Sequence, residues 1–125
     1  MTTRKPTYRA GRRLRLTHQA DIDRIFRQGR RLADDHLTLL AHANGLALTR
    51  TGVAVSAAHG NAVRRNRLKR LCREALRLAR PDLPAGWDFM AVPRKNAEHP
   101  LADLRRSVLA LAARMTAAAT DRERQ

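Results

Sequence analysis

The sequence predicts a small sandwich of the α+β or α/β kind, with one sheet and three helices in the order α, two or three β, α, β, α. Three observations carry that prediction. Two long stretches, around 61–79 and 100–118, repeat apolar residues at helical spacing. Short aliphatic runs bounded by Gly, Asn and Pro lie between the first helical stretch and the last. The chain has 125 residues, which is one domain with room for one modest core.

The elements follow in order. Residues 1–12 are polar and basic, contain Pro6 and Gly11, and read as a mobile arm. Thr17 suits the N-cap of a first helix over about 18–28. Asp21 and Asp23 sit near its positive end, and Gly29 is placed to close it as a C′ residue. Its apolar stripe, Ile22, Ile25 and Phe26, is narrow. A short strand is predicted near Arg30–Leu32, then longer ones over Leu37–Ala43 and Gly52–Ser56. Asn44-Gly45 marks a turn between them. Gly60-Asn61 supplies a turn and an N-cap for the second helix, and Pro81 stops it. Trp87–Val92 reads as a mostly buried strand closed by Pro93. In the last helix Leu101, Leu104, Val108, Leu111 and Met115 recur at spacings of 3, 4, 3 and 4, one continuous seam. Residues 119–125 read as a flexible tail. There is no internal repeat and no linker that would divide residues 1–125.

Charge narrows the function. The chain has 26 Lys and Arg against 11 Asp and Glu, a formal net charge of +15. Most of the cations are Arg, the better planar partner for phosphate. They concentrate in the second helix, where Glu74 faces seven Arg and Lys between positions 64 and 77. Asn66, Lys69, Arg70, Arg73 and Arg77 share one helix face, and Leu68, Leu71, Cys72, Ala75, Leu78 and Ala79 share another. Ordinary solvated helices mix signs to gain i,i+4 pairs. A face this uniformly cationic fits a polyanion, so the predicted partner is nucleic acid.

Other chemistries find little support. The five histidines are scattered without metal-ligand spacing, and Cys72 is the lone cysteine, on the apolar side of its helix. Asp34-Asp35 is the one adjacent acidic pair; Asp88 and Glu98 complete no evident two-metal site. There is no glycine-rich phosphate loop and no run long enough to span a membrane. The N-terminus lacks the apolar core of a secretory signal, so a cytoplasmic location is expected. The four aromatics are Tyr8, Phe26, Trp87 and Phe89. Trp87 and Phe89 read as core, and Phe26 as either core or groove wall.

These residues carry a family resemblance. Gly52-Val-Ala-Val-Ser56, followed by Gly60-Asn-Ala-Val-Arg-Arg-Asn-Arg-Leu-Lys-Arg-Leu-Cys-Arg-Glu74, resembles the signature of the protein subunit of bacterial ribonuclease P. Arg65-Asn66-Arg67 matches the family's Arg-Asn-Arg triplet, and Lys69, Arg70 and Arg73 match the basic residues after it. Leu14–Gly29 is similar to the family's opening helix, and Asp88–Arg94 to its last strand. The resemblance covers roughly residues 12–116.

It implies an αβ sandwich of order αβββαβα, with a mostly antiparallel sheet of about four strands, three helices and a left-handed βαβ crossover, a hand that is otherwise rare. It implies that an RNA subunit with bound Mg²⁺ carries the catalytic groups and removes the 5′ leader of precursor tRNA. No catalytic residue, no resident metal and no protein partner is then expected on this chain. Asn61, Arg64, Arg65, Asn66, Arg67, Lys69, Arg70 and Arg73 would meet the RNA subunit. Ile22, Phe26, Leu40, Val55 and Ser56 would line a cleft for the single-stranded leader. The chain departs from the pattern at Ala57 and Ala58, where the family usually carries two lysines, and at His59, commonly aliphatic. Ile22 and Leu40 stand where aromatics are expected. Two readings of other classes remain: a ribosomal or nucleoid-type binding protein with no role in cleavage, and a self-sufficient small nuclease.

Overall fold

The structure, a computed structural model, describes residues 14–95 and 99–124, with 118–124 as backbone alone. Residues 1–12, the expected arm, lie outside the described residues. Three helices are present: α1 (Gln19–Gln28), α2 (Ala62–Ala79) and α3 (Leu101–Arg124). Four strands alternate with them: β1 (Arg30–Ala33), β2 (Leu37–Ala43), β3 (Arg50–Val53) and β4 (Trp87–Pro93). The sheet runs β1-β2-β4-β3; β1–β2 and β2–β4 are antiparallel, and β3–β4 is parallel. The parallel pair requires a crossover, and α2 is that crossover.

Strand alternation sorts the sheet into two faces. Leu37, Leu39 and Ala41 of β2 and Phe89 and Ala91 of β4 point to one side, where they meet α2 and α3. From α2 come Cys72, Ala75, Leu76 and Ala79; from α3 come Leu104, Val108, Leu111, Ala112 and Met115. The 3-4 seam of the last helix is therefore its buried face. Each fully buried aliphatic side chain here is worth about 1.5–3 kcal/mol.

The opposite face is covered only in part. Leu16, Ile25, Leu40 and Met90 form a smaller core there, flanked by Ile22, Ala54 and Val92. A helix of ten residues is about 15 Å long and cannot roof four strands. Its first turn is held down by charge. Arg50 Nε and Nη2 grip both oxygens of Asp88 at 2.8 and 2.7 Å, and Arg50 Nη1 reaches Asp21 Oδ2 at 3.2 Å. Asn44 Nδ2 adds a bond of 2.9 Å to Asp88, which is 2% exposed. The Asp88 bond and charge, with the weaker pull of Asp21, raise the guanidinium pKa of Arg50 against the effect of burial.

Several boundaries differ from the sequence reading. The N-cap of α1 is His18, with no side-chain cap, rather than Thr17. Gly29 is extended, with φ −71°, not left-handed. It is needed for space instead, because a Cβ would lie 2.4 Å from the Ile25 carbonyl oxygen. The third strand is Arg50–Val53, not 52–56; Ala54 N still donates to Ala91 O, and the chain then turns away. The backbone of α3 stays helical to Arg124, beyond the expected end near 118.

Candidate nucleic-acid interface

The basic helix starts at a built turn. Gly60 has φ +119°, and a Cβ there would sit 2.7 Å from Arg64 Cδ. Asn61 caps the helix, its Oδ1 accepting from Arg64 N at 2.9 Å. From that start, the 3.6-residue repeat turns Leu68, Cys72, Ala75, Leu76 and Ala79 inward. Asn66, Arg67, Arg70 and Arg73 are left exposed on the opposite side. Arg67 and Arg70 have no carboxylate partner among the described residues, whereas Arg77 is paired with Glu74. Val63, 67% exposed, lies beside Asn66, Arg67 and Arg70 on the rim of one shallow hollow.

The eight residues expected to meet RNA therefore divide. Asn66, Arg67, Arg70 and Arg73 present free heads, and Lys69 is half-buried at their margin. Asn61 spends its side-chain oxygen on the cap. Arg64 is a tie-rod: its Nε donates to His59 O at 2.9 Å and its Nη2 to Lys95 O at 3.2 Å. Arg65 is half-buried, and its Nε is sequestered without a partner.

A residue the sequence reading set aside organises the junction. His59 is 3% exposed. Its Nδ1 accepts from Ser56 N at 2.9 Å, and its Nε2 lies 2.7 Å from Pro93 O. A carbonyl only accepts and an amide only donates, so the ring is neutral with its proton on Nε2. His59 thus bolts the turn between β3 and α2 to the end of β4. No spacing in the sequence announces a bond across 34 residues.

The uncovered part of the sheet forms a cleft beside this turn. Phe26 is 39% exposed on α1 and Ile22 is half-buried below it. Phe26 is accordingly not core. Leu40, expected on the cleft wall, is 1% exposed under Ile25 and is core, because α1 sits directly over it. Val55 is half-buried and Ser56 exposed at the end of the same strand path. Ala54, rather than Val55, packs with the residues under α1. Thr38 and Val92 are cross-strand partners on this face. They line a hollow of about 500 Å³ with His59, Asp35, Arg94 and Lys95. Arg94 and Lys95, exposed on its rim, were missed by the sequence reading, which took Arg94 as a strand end.

Three carboxylates are held by named partners. Asp88 is held by Arg50 and Asn44, and Glu74 by Arg77. Burial pushes the Asp34 carboxyl up, but hydrogen bonds from Ser107 and the His36 and Leu37 amides outweigh it and hold it below the ordinary value. Among the described residues no three His, Cys, Asp or Glu side chains gather to hold a metal. Burial pushes the Cys72 thiol up to about 12, so it is no nucleophile at neutral pH. No described helix is long and apolar enough to cross a membrane.

Residues 11–116 match the family model of ribonuclease P. The chain belongs to the ribonuclease P protein family. It is 39% identical over 85 residues to the ribonuclease P protein component of Thermotoga petrophila, covering 68% of this chain and 73% of that one. The Vibrio cholerae ribonuclease P protein component is 40% identical over 93 residues, 74% and 78% of the two chains. The solved RNase P protein of Thermotoga maritima superposes with a TM-score of 0.71 at 32% identity, over 80% of this chain and 96% of that one. Three helices around a four-stranded mixed sheet are thus the family's α+β fold. Within the ribonuclease P match lie α1, the cleft, the His59 turn and the whole of α2.

Proposed function

We propose that this chain is the protein subunit of a ribonuclease P in which an RNA subunit performs the chemistry, and that it acts in the cytoplasm on precursor tRNA. It binds the RNA subunit through the outer face of α2. It holds the single-stranded 5′ leader in the cleft between α1 and the sheet. Mg²⁺ belongs to the RNA subunit, where it would supply electrophilic and water-activating chemistry. The chain's own contribution is to bind and orient, and it needs neither a protein partner nor a membrane.

One observation carries the reading: Asn66, Arg67, Arg70 and Arg73 form an exposed face with, among the described residues, no carboxylate pairing Arg67 or Arg70, on a helix anchored at both ends. On the same helix Arg77 is paired with Glu74. Among the described residues Phe26 is the one exposed aromatic of the cleft, so leader recognition leans on backbone phosphate. Ala57 and Ala58 offer no charge there, and Arg94 and Lys95 supply two cations on the same hollow.

The test is equilibrium binding to the RNA subunit across a salt series. Arg67→Ala with Arg70→Ala should weaken binding and flatten the log K against log salt slope by about one unit per lost contact. Circular dichroism should stay native, since both heads face solvent. An unchanged slope and affinity in a folded double variant removes α2 from the interface.

A further inference from the structure

A second cationic feature lies away from the cleft, at the free edge of β3. Residues 14–17 run alongside that edge: Arg15 bridges to Thr51, and Leu16 N donates to Thr51 O at 2.9 Å. Between this segment and the C-terminal half of α2 is a notch of about 140 Å³. Arg15, Arg73 and Arg80 all line it, among polar and apolar neighbours that include Thr51 and Leu76.

Arg80 is the unusual member. It is 9% exposed and makes no ion pair among the described residues. Its Nη1 donates to Thr49 O at 3.1 Å and its Nη2 to Thr51 Oγ1 at 2.8 Å, both neutral oxygens. Its Nε is buried without an acceptor. Burial pushes its pKa down, the signature of an uncompensated charge. Its place after the last turn of α2 gives a favourable helix dipole. That effect is small beside the cost of burying a guanidinium without a counter-charge. The nearest acids in sequence are taken, Glu74 by Arg77 and Asp82 by Arg105. Residues 1–13, immediately upstream of the notch, contain no Asp or Glu.

We propose that the notch of Arg15, Arg73 and Arg80 is a binding site for a single phosphate group. Its volume equals roughly four or five waters at ~30 Å³ each. That accommodates a tetrahedral oxyanion. Three arginines line it, and guanidinium forks are the side chains best matched to phosphate oxygens. The phosphate is either a backbone phosphodiester of bound RNA or free phosphate. The first source extends the α2 interface and rests on the function proposed above; the second does not.

The experiment is a titration of the full-length protein with inorganic phosphate, followed by backbone amide chemical shifts, against chloride at matched ionic strength. The amides of Thr51, Gly52 and Val53 should shift saturably with phosphate alone. Arg80→Gln and Arg15→Gln should each abolish saturation; Arg15 is exposed, so its variant keeps the test valid if Arg80→Gln fails to fold. The absence of saturable shifts in the wild type, or wild-type titration in Arg15→Gln, overturns the proposal. Binding to the RNA subunit separates the sources. A fall in affinity and in salt slope for Arg15→Gln assigns the site to an RNA phosphodiester, and unchanged RNA binding with lost saturation assigns it to free phosphate. The Arg67→Ala, Arg70→Ala protein should still titrate with phosphate. If that protein also binds RNA normally, the α2 reading fails while the phosphate site stands.

Discussion

Phe26 and His59 bring the account down to single side chains. Phe26 keeps 39% of its surface exposed although its neighbour Ile25 is buried. Replacing a buried phenylalanine by alanine costs about 3–5 kcal/mol. Phe26→Ala should cost well under that in urea unfolding. It should weaken precursor tRNA with a single-stranded leader by about 1–3 kcal/mol, the worth of one stacked base, and spare mature tRNA. Equal weakening of both tRNAs would show that Phe26 does not touch the leader. His59→Ala removes the acceptor for Ser56 N and the donor to Pro93 O. Loss of about 1–3 kcal/mol of stability is expected, measured by denaturant midpoint. A change within about 0.5 kcal/mol would place His59 among ordinary surface residues. The sequence left Phe26 between core and groove wall and gave no sign of the His59 role. Whether Phe26 is core depends on where α1 lies over the sheet, which the Arg50–Asp88–Asp21 network sets across residues far apart in sequence. His59 looked like a scattered histidine because its partners come from two segments that meet only in the fold.

At the scale of elements, α2 was the most legible part. Its cap, its apolar spine and its cationic face all lie within one stretch, so the helical period exposes them together. The seam of α3 and the long strands β2 and β4 were readable for the same local reason. The third strand was not, since Val53 and Val55 suggest a longer run than the sheet uses, and the bolt at His59 draws the chain off after Val53. The division of labour within the Arg-rich run was equally hidden. Arg64 and Arg67 look alike in sequence, yet Arg64 spans two carbonyls and Arg67 is free. The β1–β2 turn gives a pH test. Asp34 binds the amides of His36 and Leu37 at 2.9 and 3.1 Å and is bonded by Ser107 of α3. Its folded pKa lies below its ordinary value of 3.8. The stability it contributes is therefore present above about pH 4 and is lost as pH falls through the folded value. Asp34→Asn should be less stable at neutral pH and show a shallower acid limb of stability against pH. An acid limb identical to wild type would mean that the carboxylate does not tie the turn to α3.

Across the whole molecule, the sheet has one face closed by two helices and one face covered in part by the short α1. The closed face holds the main core, and the open face supplies the cleft. The net charge of +15 speaks to partners rather than to fold. Among the described residues α2 and the cleft rim carry exposed cations, while Asp88 and Glu74 are held by arginines. The overall architecture was legible from element order and from the resemblance. The half-covered sheet was not, because the cover depends on how far a ten-residue helix reaches. The most direct measurement is cleavage of precursor tRNA at near-physiological Mg²⁺ by purified protein, by the RNA subunit, and by both together. Protein rigorously free of RNA should leave the leader intact, the RNA subunit should act slowly and only at high Mg²⁺, and the mixture should release the leader at low Mg²⁺. Metal-dependent cleavage by RNA-free protein, or no gain on adding protein to the RNA subunit, would contradict the account.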